Sequence, residues 1–222
     1  LNTLEKDDKR VSFIFEQVTK LKAELQALGL DLAIFYSTPL EVFTYLKTVG
    51  FGEVYASVDY DSYARKRDEE IAELLSFHPL NDCYLFEPME VLKKDGTPYL
   101  VFTPYYRACK ELYTKFYVLD YKRGEQSLST FDCSILWSIQ DGVRAALPLT
   151  LDALGFEYRN VALLRPQKVL ETFAPKIDKY AIDRDYLDID ATSHLSVHLR
   201  FGTISIREVV RFLTALKTKN HQ

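Results

Sequence analysis

Over the first 115 or so residues, short continuous apolar runs alternate with amphipathic stretches of three- and four-residue period. No other feature restricts the fold as much. Val11, Ile14, Phe15, Val18, Leu21, Leu25 and Leu28 recur at helical spacing, with Lys20, Lys22, Glu24 and Gln26 between them and Gly29 as a stop. Leu32 to Tyr36 is then a continuous apolar run bounded by Asp31 and by Ser37, Thr38 and Pro39, the pattern of a strand covered on both faces. Pro39 opens a second helix through Leu46. Val54 to Val58 repeats the strand pattern, and Ala64 to Leu75 repeats the helix pattern with the charges from Arg65 to Glu70 on its wet first half. Cys83 to Phe86 and Tyr99 to Phe102 are two further candidate strands, on either side of a turn from Lys94 to Pro98 whose Asp95 and Gly96 tolerate positive φ. Thr103 and Pro104 cap a helix through Tyr113. Parallel neighbours need a crossover, and short crossovers are right-handed. The expectation is an α/β domain over residues 1–115, a Rossmann-like, mostly parallel sheet with helices on both faces.

From 116 to 175 the period is lost: Lys122 to Glu125, Pro148, Gly155 and Pro166 punctuate short apolar pieces, which reads as an interdomain connector. From 176 to 222 helical patterns dominate, as at the start of an all-helical domain. The hydrophobic fraction of 47% and aromatic fraction of 14% exclude intrinsic disorder. With 28 Lys and Arg against 32 Asp and Glu, no bulk positive field holds nucleic acid, so any DNA contact must come from a local basic site. Apolar runs fall far short of the roughly 20 residues of a membrane span, and the start carries no signal-like segment. Cys83, Cys109 and Cys133 form no C-x-x-C pair and read as reduced, structural thiols; the expected compartment is the cytoplasm. A chain that starts at Leu1 and stops within a helical pattern reads as a piece of a longer product.

Thr192, Ser193 and Ser196, with His194 and Leu195 among them, place three hydroxyls and several backbone N–H groups at the start of a helix that runs to Phe201 and stops at Gly202. Unpaired N–H groups and the positive end of the helix dipole make such a terminus an anion site, and small hydroxyls can donate to phosphate oxygens without crowding them. The simpler reading is that Thr192 and Ser193 are only N-caps, but a cap needs one hydroxyl and three are present. Ser205 and Glu208 have the spacing of a capping box for a last helix from Ile206 to about Lys217, with Val209, Val210, Leu213 and Leu216 on its apolar side. His78, His194, His198 and His221 complete no metal-ligand set, since His194 and His198 stand four apart with no acid on their face. The G-x-S-x-G, Walker and G-x-G-x-x-G patterns are absent, which removes hydrolase, kinase and dehydrogenase readings. Tyr99, Tyr105, Tyr106, Tyr113, Phe116 and Tyr117 read either as core or as a stacking surface for a chromophore.

The run from Thr192 to Arg207, preceded by Tyr180 and by Arg184 and Asp185, resembles the start of the flavin-binding domain of the DNA photolyase and cryptochrome family. Tyr63 to Asp68 and Val101 to Tyr105 resemble upstream segments of the same family, so that the likeness spans about residues 8 to 222 outside much of the connector. The resemblance implies that Thr192, Ser193, Leu195 and Ser196 hold the diphosphate and ribityl groups of FAD, with His194 in the same loop. It also implies that Tyr180 lines the flavin pocket and that Arg184 contacts substrate DNA, a role suited to bidentate phosphate pairing. An ion pair with Asp185 or Asp188 is the alternative for Arg184. The sequence departs from the family in three ways. The family's first strand would precede Leu1, Ser37 stands where a glycine is usual, and the residues that hold the rest of FAD, relay electrons through tryptophans and grip the lesion lie beyond Gln222. Trp137, the single tryptophan, falls in the connector.

What the resemblance implies is light-driven repair of cyclobutane pyrimidine dimers in UV-damaged DNA by a monomeric deoxyribodipyrimidine photo-lyase. FAD is its cofactor, with room for a second antenna chromophore of folate, deazaflavin or flavin type. No catalytic residue and no metal ligand is expected within these 222 residues, and the piece alone is expected to be inactive. Two alternatives share the same residues: a cryptochrome-like blue-light photoreceptor, and a non-catalytic remnant of the fold.

Overall fold

Asp8 opens the first helix, α1 (Lys9–Ala27), by accepting the Arg10 N–H at 2.8 Å, and Gly29 leaves it with φ +74°. The computed structural model describes residues 4–113, 135–140 and 143–216. They divide into two compact units, Leu1–Leu80 with Gly124–Leu163, and Asn81–Arg123 with Leu164–Gln222.

The first unit continues with β1 (Ile34–Tyr36), α2 (Pro39–Thr48), β2 (Glu53–Ser57), α3 (Ser62–Ala72) and β3 (Ser76–Leu80), and later adds β4 (Leu136–Gln140) and β5 (Val143–Leu147). β1 pairs parallel with β4, with Ile34 opposite Leu136, and β4 pairs antiparallel with β5; β2 and β3 form a second, parallel pair. Among the described residues two of the three strand pairings are parallel, over one mixed and one parallel sheet, and helices separate the early strands, so the α/β class with mostly parallel pairing holds. Thr38 and Glu41 make a complete capping box at α2, with Pro39 in its first turn. Val54, Ile71 and Leu75 bury together beneath Phe43, Leu74 and Phe77, so β2 and α3 share one small core. A second core joins Val11 of α1 to Leu151 and Phe156.

Several boundaries differ from the sequence expectation, each for a local reason. β1 begins two residues late because Leu32 is held by side chains: its N–H donates to Asp31 Oδ1 at 2.7 Å and its carbonyl accepts from Lys22 Nζ at 3.0 Å. Lys22 is itself buried and paired with Asp31, while Ile14, Leu21 and Leu28 of the expected apolar face are exposed. Ser76–Leu80 is a strand although Pro79 lies in it; among the described residues β3 pairs only with β2, and an edge position tolerates a proline. Cys83 to Phe86 and Tyr99 to Val101 form no strand, and Phe102 already belongs to α4 (Phe102–Leu112). The turn between them does form, with Gly96 at φ +78° and Lys93 N–H donating to the Thr97 carbonyl at 2.9 Å. No residue of α4 is buried, so Tyr105 and Tyr106 are not core. β4 and β5 arise in the stretch expected to be a connector: β4 finds its partner in β1, distant in sequence, and β5 pairs back on β4. Cys133, Phe116, Tyr117, the charges at Lys122 to Glu125, His221 and the expected helix end at Lys217 lie outside the described residues.

Ser37 is half-buried just after β1. Its hydroxyl lies 2.5 Å from the Ile139 carbonyl of β4 and 2.6 Å from Glu41 Oε2, links a glycine has no atom to make. Ser12 on α1 is fully buried and accepts the Arg159 N–H at 2.9 Å. Ser12→Ala strands that N–H, and is expected to lower stability by about 1–3 kcal/mol, read as the shift of the urea midpoint.

The second unit contains α4 and, after Leu163, a run of short helices: α5 (Pro166–Phe173), a 3-10 segment Ala174–Lys179, α6 (Tyr180–Asp183), α7 (Ser196–Arg200) and α8 (Ile206–Ala215). Leu170, Leu195, Ile204 and Val209 form its core, with Val169, Phe212 and Leu213 packed around them. Ser205 caps α8 by accepting the Arg207 N–H at 3.2 Å. The expected capping box is not completed; Glu208 accepts from Gln167 Nε2 of α5 at 3.4 Å instead.

Candidate functional site

The segment from Ala191 to Ser196 is held at two buried points, Ala191 and Leu195, with Leu195 packed into the core of the second unit beside Leu170. Between them Thr192 and His194 are exposed and Ser193 is half-buried. His194 takes φ +53°, the only positive φ outside glycine among the described residues. Left-handed backbone costs a residue with a Cβ about 1–2 kcal/mol, and histidine is among the side chains that visit it more often.

α7 starts at Ser196 with Leu195 as its N-cap, and no side-chain cap hydrogen bond forms. None of the three hydroxyls therefore acts as the helix cap. The helix is only five residues long and ends at Gly202, φ +66°.

The three hydroxyls do not converge on one cavity. Ser193 lines a cavity of about 270 Å³ with Leu170, Phe173, Ile177, Tyr180 and Leu195, an apolar space with the Tyr180 ring set edge-on to Phe173 at 5.6 Å. Thr192 and His194 line a more open cavity of about 490 Å³ with Arg184, Tyr186, Asp188 and Asp190. Ser196 is exposed at the first position of α7 and lines neither. Tyr180 and Ser193 are thus brought together, and Arg184 joins Thr192 and His194.

Arg184 is exposed. Its guanidinium lies 5.4 Å from the centre of the Tyr180 ring, and Nε stands 3.7 Å from Asp185 Oδ1, so the ion pair that was the alternative role for Arg184 is present and long. Lysine and histidine neighbours missing from the sequence reading surround Asp190. Lys176 Nζ donates to Oδ2 at 2.6 Å and His194 Nε2 to Oδ1 at 2.8 Å. The Lys176 and then the His194 contact hold the Asp190 carboxyl below the usual carboxylate range. His194 therefore does share its face with an acid, four residues before it rather than after; Lys176 had no sequence signal, because the turn that brings it near is irregular. His198, buried on α7, pairs through Nδ1 with Thr203 Oγ1 at 2.7 Å, a structural role. Among the described residues no group of three His, Cys, Asp or Glu is placed to hold a metal ion, and no helix is long and apolar enough to cross a membrane.

A family model described as DNA photolyase matches residues 2–122. The deoxyribodipyrimidine photo-lyase of Alkalihalophilus pseudofirmus is 32% identical over 213 residues, 89% of this chain and 42% of the relative. That of Halobacterium salinarum is 26% identical over 224 residues, 94% and 44% of the two. Cryptochrome-2 of Arabidopsis thaliana is 25% identical over 215 residues, 87% of this chain and 33% of that protein. Among solved structures, a bacterial class III photolyase from Agrobacterium tumefaciens shares the fold with a TM-score of 0.63 at 18% identity, covering 92% of this chain and 44% of its own. The chain thus spans less than half the length of these relatives. With more than half of its residues matched by the family model, the chain belongs to the DNA photolyase family.

Proposed function

We propose that these residues are part of a flavin-dependent, light-driven enzyme that splits cyclobutane pyrimidine dimers in UV-damaged DNA, and that the Thr192 to Ser196 segment with Tyr180 holds part of its FAD. The observation that carries this reading is the start of α7, whose N-terminal N–H groups no side chain caps, beside three hydroxyls and next to an apolar cavity walled by Tyr180 and Phe173. That donor set fits a diphosphate. Backbone N–H groups and neutral hydroxyls satisfy anionic oxygens from many directions, and of the two carboxylates lining the open cavity, Asp188 and Asp190, the latter is paired with Lys176 and hydrogen-bonded by His194.

When bound and reduced, FAD supplies on illumination the electron that opens the dimer's ring. Thr192, Ser193 and Ser196 donate to its diphosphate and ribityl oxygens, together with the N–H groups at Leu195 and Ser196, while Tyr180 and Phe173 keep water from the apolar side. Arg184, exposed and braced on the Tyr180 ring, presents its remaining N–H groups to a DNA phosphate. The enzyme's other task is to take the lesion out of the duplex, which is cheapest where pairing is already damaged. A second chromophore as light antenna belongs to this proposal.

The likeness to Arabidopsis cryptochrome-2 favours one second reading, a blue-light photoreceptor. The test is repair of a dimer-containing oligonucleotide by the native gene product, in light and in darkness. Repair confined to the light supports the enzyme. Bound flavin with no repair in either condition turns the reading to the photoreceptor, and no flavin at all sinks both.

A further inference from the structure

Resting on the reading of the 192–196 segment as a diphosphate site, we propose that Lys176, Asp190 and His194 are positioning residues that set the shape of that segment before a ligand arrives. In this arrangement the His194 imidazole is engaged by Asp190 and does not itself donate to the cofactor.

Ala191 and Leu195 are buried 3% and 5% exposed, so both ends of the segment are anchored, and the only adjustable part is Thr192, Ser193 and His194. Asp190 lies one residue before the first anchor, and its Oδ1 accepts from His194 Nε2 at 2.8 Å, which closes the adjustable part into a loop. Its other oxygen accepts from Lys176 Nζ at 2.6 Å. Lys176 stands in the 3-10 segment that directly follows α5, whose Leu170 and Phe173 are buried, so the loop is tied to a segment continuous with a packed helix. The left-handed backbone at His194 is unfavourable for a side chain with a Cβ, and the contact to Asp190 offsets that preference. Asp188 and Arg184 line the same cavity as His194, so the site's other charges are one of each sign.

The sign of one substitution separates positioning from plain electrostatics. Removing a carboxylate beside a diphosphate site should tighten an anionic ligand if charge alone mattered. If Asp190 shapes the loop, removing it should weaken the ligand instead. The probe is FAD, added to the flavin-stripped native gene product and followed by the quenching of its fluorescence. Asp190→Ala and Lys176→Ala are each expected to raise the FAD dissociation constant about fivefold, with the double variant no worse than either alone. Asp190→Asn keeps the acceptor for the imidazole and is expected to stay within about twofold of the unmodified protein, as is Lys176→Arg. His194→Gly keeps the left-handed backbone free of strain but loses the contact, and should match Asp190→Ala. Tighter FAD binding by Asp190→Ala, or an additive double variant, overturns the positioning role while leaving the flavin site in place. Failure of the unmodified protein to bind FAD overturns both.

Discussion

Replacing Thr192, Ser193 and Ser196 together by alanine is expected to lower FAD affinity by roughly a hundredfold or more, while the urea midpoint moves little. A hydroxyl that donates to a charged oxygen contributes about 1.5–3 kcal/mol, and three such losses exceed two powers of ten even after allowing for non-additivity. Thr192 and Ser196 are exposed and cap no helix, so their removal leaves no buried donor or acceptor stranded. Surface changes of this kind usually alter stability by no more than about 0.5 kcal/mol. Because Ser193 and Thr192 line different cavities, the single variants are expected to differ: Ser193→Ala loses a group beside Tyr180, Thr192→Ala one beside Arg184. Equilibrium dialysis against FAD measures each of the three variants. An affinity within threefold of the unmodified protein for the triple variant would remove the hydroxyls from the site.

The largest expected loss of stability comes from Leu170→Ala on α5. Leu170 is 2% exposed and packs with Leu195, Ile204 and Val209, so truncation leaves a cavity inside the core of the second unit at a cost of about 2–5 kcal/mol. Leu195 is also the residue from which α7 starts, so the cavity opens directly beneath the candidate site. The variant is therefore expected to lose FAD affinity along with stability, whereas the triple hydroxyl variant loses affinity alone. Leu170→Met, which nearly conserves volume, should cost less than about 1.5 kcal/mol and keep flavin. Urea unfolding followed by far-ultraviolet circular dichroism, with flavin fluorescence on the same samples, reads both effects.

The helices α1, α2, α3 and α8 were legible because their signals are local. A capping residue, a proline in the first turn and apolar spacing of three and four all act within a few residues of chain. Strands were legible where a short apolar run stood between turn residues, as at Val54 to Val58, although the strand there buries Val54 and leaves Tyr55 exposed. Ser76–Leu80 contains Pro79 and a histidine, a poor strand by propensity, and forms because β2 offers it a ladder. Cys83 to Phe86 has the better propensity and forms no strand. The same asymmetry hid β4, whose ladder comes from β1 about a hundred residues upstream, and with it β5, which pairs with β4.

At the candidate site, the run from Thr192 to Arg207 and the Val101 to Tyr105 segment carried the family by themselves, since a family motif is a property of residue order. The hydroxyls, Tyr180 and Arg184 could be named from that order too. Their distribution over two cavities, the engagement of His194 by Asp190 and the arrival of Lys176 were settled only by tertiary structure. Side-chain chemistry and local backbone preference are written in the sequence, because they depend on near neighbours. Which strand finds a partner, which hydroxyl is left uncapped and which charge meets which carboxylate depend on chain segments brought together by burial, of Val54, Ile71 and Leu75 in the first unit and of Leu170, Leu195 and Val209 in the second, and no local pattern encodes that meeting.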